Sequence, residues 1–186
     1  MSNSETKGNN TNMSINNNNS SSTINVLDIL HKRGYMITKK IATTLQGNAY
    51  LGRIINDSNN ESCVIKVTSK LLYNKGITLN RSGKIITIKE DIIKEISIMK
   101  YLQTKKPPQG FIKCIDSFMD DDNIVLIMDY GGNNFFEYIR RNTISVKNGN
   151  LSAKKWVKKC KKMFKQICIY VKWLHNNGIC HLDISL

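Results

Sequence analysis

Ser62-Cys63-Val64-Ile65-Lys66-Val67-Thr68 is the stretch on which the fold turns. Val64, Ile65, Val67 and Thr68 are β-branched, which suits a pleated, half-buried strand and disfavours a helix. A lysine sits in the middle of it. Upstream, Tyr35-Met36-Ile37-Thr38-Lys39-Lys40-Ile41 and Ala49-Tyr50-Leu51-Gly52-Arg53-Ile54-Ile55 read as two further strands, joined by a short loop centred on Gly47. Asn56-Asp57-Ser58-Asn59-Asn60 is turn chemistry between the second and third. Three strands with such short links predict an antiparallel meander.

Downstream, Ile77-Thr78-Leu79, Asn80-Arg81-Ser82-Gly83 and Lys84-Ile85-Ile86-Thr87-Ile88 form the pattern of a small hairpin. Ile92, Ile93, Ile96, Met99 and Leu102 then recur at helical spacing behind the acidic pair Glu90-Asp91, and Pro107-Pro108 closes that helix. Phe111 to Phe118 and Asn123 to Met128 read as two more strands around Asp120-Asp121-Asp122, after which Gly131-Gly132 breaks the pattern. A short helix is expected at Asn134 to Arg141, and a long one from Ser152, its expected cap, to Asn176. The order is therefore five strands with one helix after the third, then a largely helical part. The fold class is α+β with an antiparallel sheet, and alternating βαβ units do not fit it.

On the long helix, Trp156, Val157, Cys160, Met163, Phe164, Ile167, Cys168, Val171 and Leu174 share one half at ~100° per residue. Lys154, Lys155, Lys158, Lys159, Lys161, Lys162, Lys165 and Lys172 fill the other and meet no acid within the helix. These eight supply more than half of the net charge of +14, which comes from 28 Lys and Arg against 14 Asp and Glu in 186 residues. Such a face is ordinarily a solvated one, and nucleic acid is an unlikely partner for it. The apolar half, by contrast, calls for a core, a protein partner or a second copy of the chain.

Composition sets the remaining bounds. No apolar run approaches the ~18 residues of a membrane span. Met1-Ser2-Asn3-Ser4-Glu5 lacks the charged and apolar segments of a secretory signal, so cytoplasm or nucleus is the expected location. Residues 1–24 are mostly Asn, Ser and Thr and are expected to be disordered. Five cysteines (Cys63, Cys114, Cys160, Cys168, Cys180) without a Cys-x-x-Cys pair read as reduced thiols, and no metal ligand spacing is present.

The segments in this order resemble the protein kinase family, over about Gly34 to Leu186. Ile41-Ala42-Thr43-Thr44-Leu45-Gln46-Gly47-Asn48-Ala49 matches the glycine-rich loop, with only the third glycine kept, as Gly47. Cys63-Val64-Ile65-Lys66 matches the third-strand lysine motif, Val64 replacing the alanine that lines the adenine pocket. Glu95 is the candidate helix glutamate, preferred over Glu90. Met128 stands at the gatekeeper position, and Asp129 and Tyr130 at the hinge that presents backbone groups to adenine. Trp173-Leu174-His175-Asn176-Asn177-Gly178-Ile179-Cys180-His181-Leu182-Asp183 matches the approach to the catalytic loop, with Asp183 at the base position and Leu182 in place of its arginine.

The resemblance implies a small lobe over 34–130 and the opening of a large lobe over 131–186, with ATP as cofactor. The family also uses an Asn about five residues past the catalytic Asp and a later Asp-Phe-Gly to hold magnesium. Neither is among these 186 residues, so the magnesium site is not completed in this chain. Three expectations follow. The first is a kinase-like protein that binds ATP weakly and transfers no phosphate. The second is the N-terminal part of an active ATP-dependent serine/threonine kinase. The third is a non-enzymatic basic interaction module.

Overall fold

β3 (Ser62–Ser69) is the middle strand of a five-stranded, wholly antiparallel sheet. The computed structural model describes residues 20–55, 61–79, 83–88 and 90–184. Beside β1 (Tyr35–Thr44) and β2 (Gly47–Ile54), the sheet contains β6 (Cys114–Met119) and β7 (Asn123–Asp129), in the order β1-β2-β3-β7-β6. Lys66 stands opposite Ala49 on one side and Leu126 on the other, so these three share a face.

Strand alternation assigns the two faces. Cys63 and Ile65, with Val125 and Ile127 of β7, are fully buried on one face. They lie under α1 (Ser20–Lys32), which contributes Val26 and Leu30. Leu126 and Met128 point to the other face, where Ile92 and Ile96 of α3 (Ile92–Thr104) cover them. With both sides of β7 covered, Ile124-Val125-Leu126-Ile127-Met128 is apolar without alternation. Arg33 locks the end of α1 to β6: it bonds Asp116 at 3.0 Å and lies 4.5 Å over the Phe118 ring.

α1 was not expected. The tail assigned to 1–24 runs five residues into this helix, and residues 1–19 lie outside the described ones, as do the turns at 56–60 and 80–82. Two apolar residues one turn apart are enough to seat α1 on the sheet, and an Asn/Ser-rich composition hides that.

Between β3 and α3 lies an insert. It begins with α2 (Lys70–Lys75), capped by the Ser69 side chain and closed at Gly76 with φ 59°. The expected hairpin follows as β4 (Ile77–Leu79) paired with β5 (Ile85–Thr87). α4 (Phe135–Lys147) runs two turns further than expected before Gly149, at φ 75°, ends the segment. α5 (Ala153–Asn176) starts where expected, but Ser152 makes no side-chain cap; its carbonyl simply accepts from Trp156 N at 3.0 Å. No described helix is long and apolar enough to cross a membrane.

α5 is only partly covered. Trp156 is buried beside Tyr138 of α4, Leu174 is buried, and Tyr170 and Trp173 hold the Phe111 ring edge-on. Phe164 and Val157 of the same apolar half remain 69% and 52% exposed.

Candidate functional site

Lys66 Nζ lies 2.6 Å from Glu95 Oε1, which joins the central strand to α3. Each partner is placed by its own element. β3 presents Lys66 on the α3 side because Cys63 and Ile65 claim the opposite face. α3 presents Glu95 in its first turn because Ile92 and Ile96 are pinned to the sheet. A carboxylate there also suits the positive end of the helix. With side chains 31% and 40% exposed, the pair is wet, so it stabilises the fold little and leaves the ammonium open to a ligand.

α3 is started by Asp91, whose Oδ1 accepts from Lys94 N at 3.0 Å and from the Tyr73 hydroxyl at 2.9 Å. The Lys94 amide and then the Tyr73 hydroxyl hold the Asp91 carboxyl below its ordinary value. The Tyr73 hydroxyl is pushed up chiefly by donating to Asp91.

A cavity of ≈ 240 Å³ opens between the tip of the β1–β2 hairpin, β3 and the start of α3. Thr44 and Gln46 line it from above, Lys66 and Thr68 from the strand, and Glu90, Asp91 and Glu95 from the helix side. The segment expected as a glycine-rich loop is mostly strand: β1 reaches Thr44, β2 begins at Gly47, and Leu45-Gln46 alone make the turn. The loop is thus centred one to two residues before Gly47. Gly47 is required for a different reason from phosphate approach, since a Cβ there would lie 1.9 Å from the Val67 carbonyl oxygen. Ile41, Ala42, Thr43 and Leu45 are exposed, Asn48 is half-buried and Ala49 is buried beside Lys66.

Toward the hinge, Met128 is buried opposite Val64, and Val64 packs on the α3 cluster. Asp129 departs from expectation in one respect. Its N–H donates to Lys113 O at 3.0 Å and its Oδ2 accepts from Lys113 N at 3.0 Å, so that N–H is spent inside the fold. Of this residue, only the carbonyl is left to consider for a base edge. Tyr130 is exposed, and with Asp129 and Gly131 it borders a cleft that Pro107 to Lys113 complete.

Asp183 is exposed and does not line the Lys66 cavity; its N–H reaches His181 Nδ1 at 3.3 Å. Leu182 before it adopts φ 59° and is 93% exposed, a backbone state that costs a non-glycine residue about 1–2 kcal/mol. Cys180 and His181 face α3 across a second cavity of ≈ 420 Å³, and Asp91 and Glu95 line both cavities. α3 is therefore the shared wall between the lysine site and the segment that leads to Asp183.

Of the cavity's lining, Thr44, Gln46, Lys66 and Glu95 are among the residues the sequence points to, whereas Thr68 and Asp91 are not. Asp91 carried a readable signal as a cap before an apolar-periodic run. Thr68 carried none, and Gln46 was marked only by its place in the loop, not by its burial.

The chemistry available here is that of a phosphate clamp. A lysine held by one carboxylate can donate to phosphate oxygens while staying oriented, and the residues fit that end of a nucleotide. Three carboxylates around the cavity set a repulsive term against a bare polyphosphate. They do not make a metal centre: among the described residues, no group of three or more His, Cys, Asp or Glu is arranged to hold an ion.

Residues 47–185 match the family model described as protein kinase domain. Among curated proteins, the chain is 29% identical over 160 residues to the Probable serine/threonine-protein kinase MARK-B of Dictyostelium discoideum. It is 32% identical over 98 residues to the smooth muscle myosin light chain kinase of Gallus gallus, and 22% identical over 156 to the Probable serine/threonine-protein kinase 2 of Plasmodium falciparum. These matches cover 84%, 52% and 83% of this chain but 19%, 4% and 25% of the relatives, so the chain spans a quarter or less of each. The closed Lys66–Glu95 pair, the strand order around it and a family match over most of the chain converge: this chain belongs to the protein kinase family.

Proposed function

We propose that residues 34–130 act as the nucleotide-binding small lobe of a serine/threonine protein kinase, with 131–186 as the opening of its large lobe. The observation that carries this reading is the 2.6 Å Lys66–Glu95 pair at the mouth of a cavity floored by β3. Lys66 would hold the phosphates of ATP, Glu95 would orient Lys66, and the strip from Ala49 and Val64 to Met128 would receive the base. When bound, ATP supplies the transferable phosphoryl group; the protein supplies position and charge.

We infer that the 186-residue polypeptide by itself binds ATP weakly and does not transfer phosphate. Support comes from the carboxylates around the cavity and from the lack, among the described residues, of a metal-binding group to neutralise developing charge. A second reading keeps catalysis for a longer polypeptide that includes these residues. It is favoured by Asp183 at the base position, one α-helix away from the lysine site. The exposed strip of Val157 and Phe164 supports reading α5 as a face that contacts further protein.

The test is a thermal-shift titration of residues 1–186 with ATP to millimolar concentration, beside Lys66→Ala. ATP should raise the midpoint of the wild type and not of the variant. No shift in the wild type removes the nucleotide reading, and γ-phosphate release above the variant's background removes the inactivity reading.

A further inference from the structure

The β1–β2 turn is built against its own chemistry. Two-residue hairpin turns ordinarily take left-handed backbone at one or both central residues, since other types splay the strands. Here the central residues are Leu45 and Gln46, and neither has positive φ. Two of the three glycine positions of the family's loop are Ala42 and Thr44. Yet Gln46 is 5% exposed, at a hairpin tip where exposure is the rule.

The β3–α3 insert accounts for this. Gln46 Nε2 donates to the carbonyl oxygens of Leu72, at 2.9 Å, and Ile77, at 3.3 Å, one from α2 and one from β4. The Thr78 hydroxyl, itself buried, donates to Leu45 O. Ser69 N donates to Gln46 O at 2.8 Å. Both turn carbonyls and the turn side chain are therefore held by residues 69–78. Gly47 lets β2 close directly onto Val67, and the same Gln46, with Thr44, lines the cavity that Lys66 and Glu95 share.

We propose that the β3–α3 insert is a clamp on the β1–β2 turn, with Gln46 and Thr78 as positioning residues for the phosphate end of a bound nucleotide. The proposal rests on the nucleotide reading above and adds to it a fixed lid, where a glycine-rich loop would flex. Neither side chain needs to touch phosphate: each holds the turn whose backbone and Thr44 face it. A clamp of this kind acts on the phosphates and not on the base, which lies toward Met128.

The experiment uses the 186-residue chain as wild type, Gln46→Ala, Thr78→Val and Thr78→Ser. Two readouts are combined: amide hydrogen exchange of residues 43–48, and affinities for ATP and for adenosine. Gln46→Ala and Thr78→Val should speed exchange in the turn and weaken ATP about tenfold, the equivalent of one hydrogen bond. Adenosine affinity should not change, and Thr78→Ser, which keeps the hydroxyl, should behave as wild type. Unchanged turn exchange and ATP affinity in both variants would overturn the clamp, as would equal losses for ATP and adenosine. If Gln46→Ala does not fold, the Thr78 Val/Ser pair decides alone. ATP binding that needs Lys66 but ignores Gln46 and Thr78 sinks the clamp and spares the nucleotide reading; a wild type that binds no ATP sinks both.

Discussion

Replacing Lys66 with Met should separate folding from binding. The pair it breaks is about a third to two-fifths exposed, so its worth to the fold is that of a surface ion pair, about 0.2–1 kcal/mol. The Met side chain keeps the apolar stem of lysine against Ala49 and Leu126. In a domain of this size, that loss lowers the thermal midpoint by only about 1–4 °C. Binding is another matter. A charge-assisted hydrogen bond to phosphate contributes about 1.5–3 kcal/mol, and its loss weakens ATP by about 10–150-fold. Urea unfolding and nucleotide titration on the same preparations check both numbers. Adding Glu95→Gln and the double variant closes a cycle whose coupling in stability should stay under about 1 kcal/mol. A Lys66→Met protein destabilised by more than about 2 kcal/mol with ATP affinity intact would show that the pair is a structural brace, and the reasoning would fail.

Other consequences can be checked separately. Ile127→Ala empties a fully buried site on β7 beneath α1 and should cost about 2–5 kcal/mol in urea unfolding, whereas Phe164→Asp, on exposed α5, should cost little and reduce self-association in light scattering. Gly47→Ala forces a Cβ into the Val67 carbonyl and should move the hairpin tip, seen as faster amide exchange over residues 43–48. Asp91 has a folded-state value below the ordinary 3.8, so its contribution to α3 is present above that value and is lost as the pH falls through the folded one; Asp91→Ala should flatten the acid limb of the stability profile. Burial raises the thiols of Cys63 and Cys114, so alkylation near neutral pH should reach Cys168 and Cys180 first.

The sheet and α3 were legible because their signals are local. β-branched runs mark β3, an unbroken apolar run marks β7, and Asp91 caps an apolar-periodic stretch. The apolar-turn-apolar pattern of residues 77–88 pointed to a small hairpin, and β4 and β5 are that hairpin. α2 is too short for periodicity to show, although Ser69 and Gly76 frame it with cap chemistry. What could not be read is what depends on distant chain. Gln46 meets Leu72 and Ile77 across 26 and 31 residues, and nothing near Gln46 encodes a buried amide. Asp129 likewise spends its N–H on Lys113, a ladder contact that hinge resemblance alone does not reveal.

The most direct measurement is labelling with an ATP analogue carrying an acyl group on its terminal phosphate, which acylates whichever lysine lies against the polyphosphate. Peptide mass spectrometry then reads the site in a chain with 28 lysines and arginines. The account predicts acylation concentrated on Lys66 and suppressed by excess ATP. Labelling spread over Lys154 to Lys165 of α5, with Lys66 unmodified and ATP without effect, would contradict it.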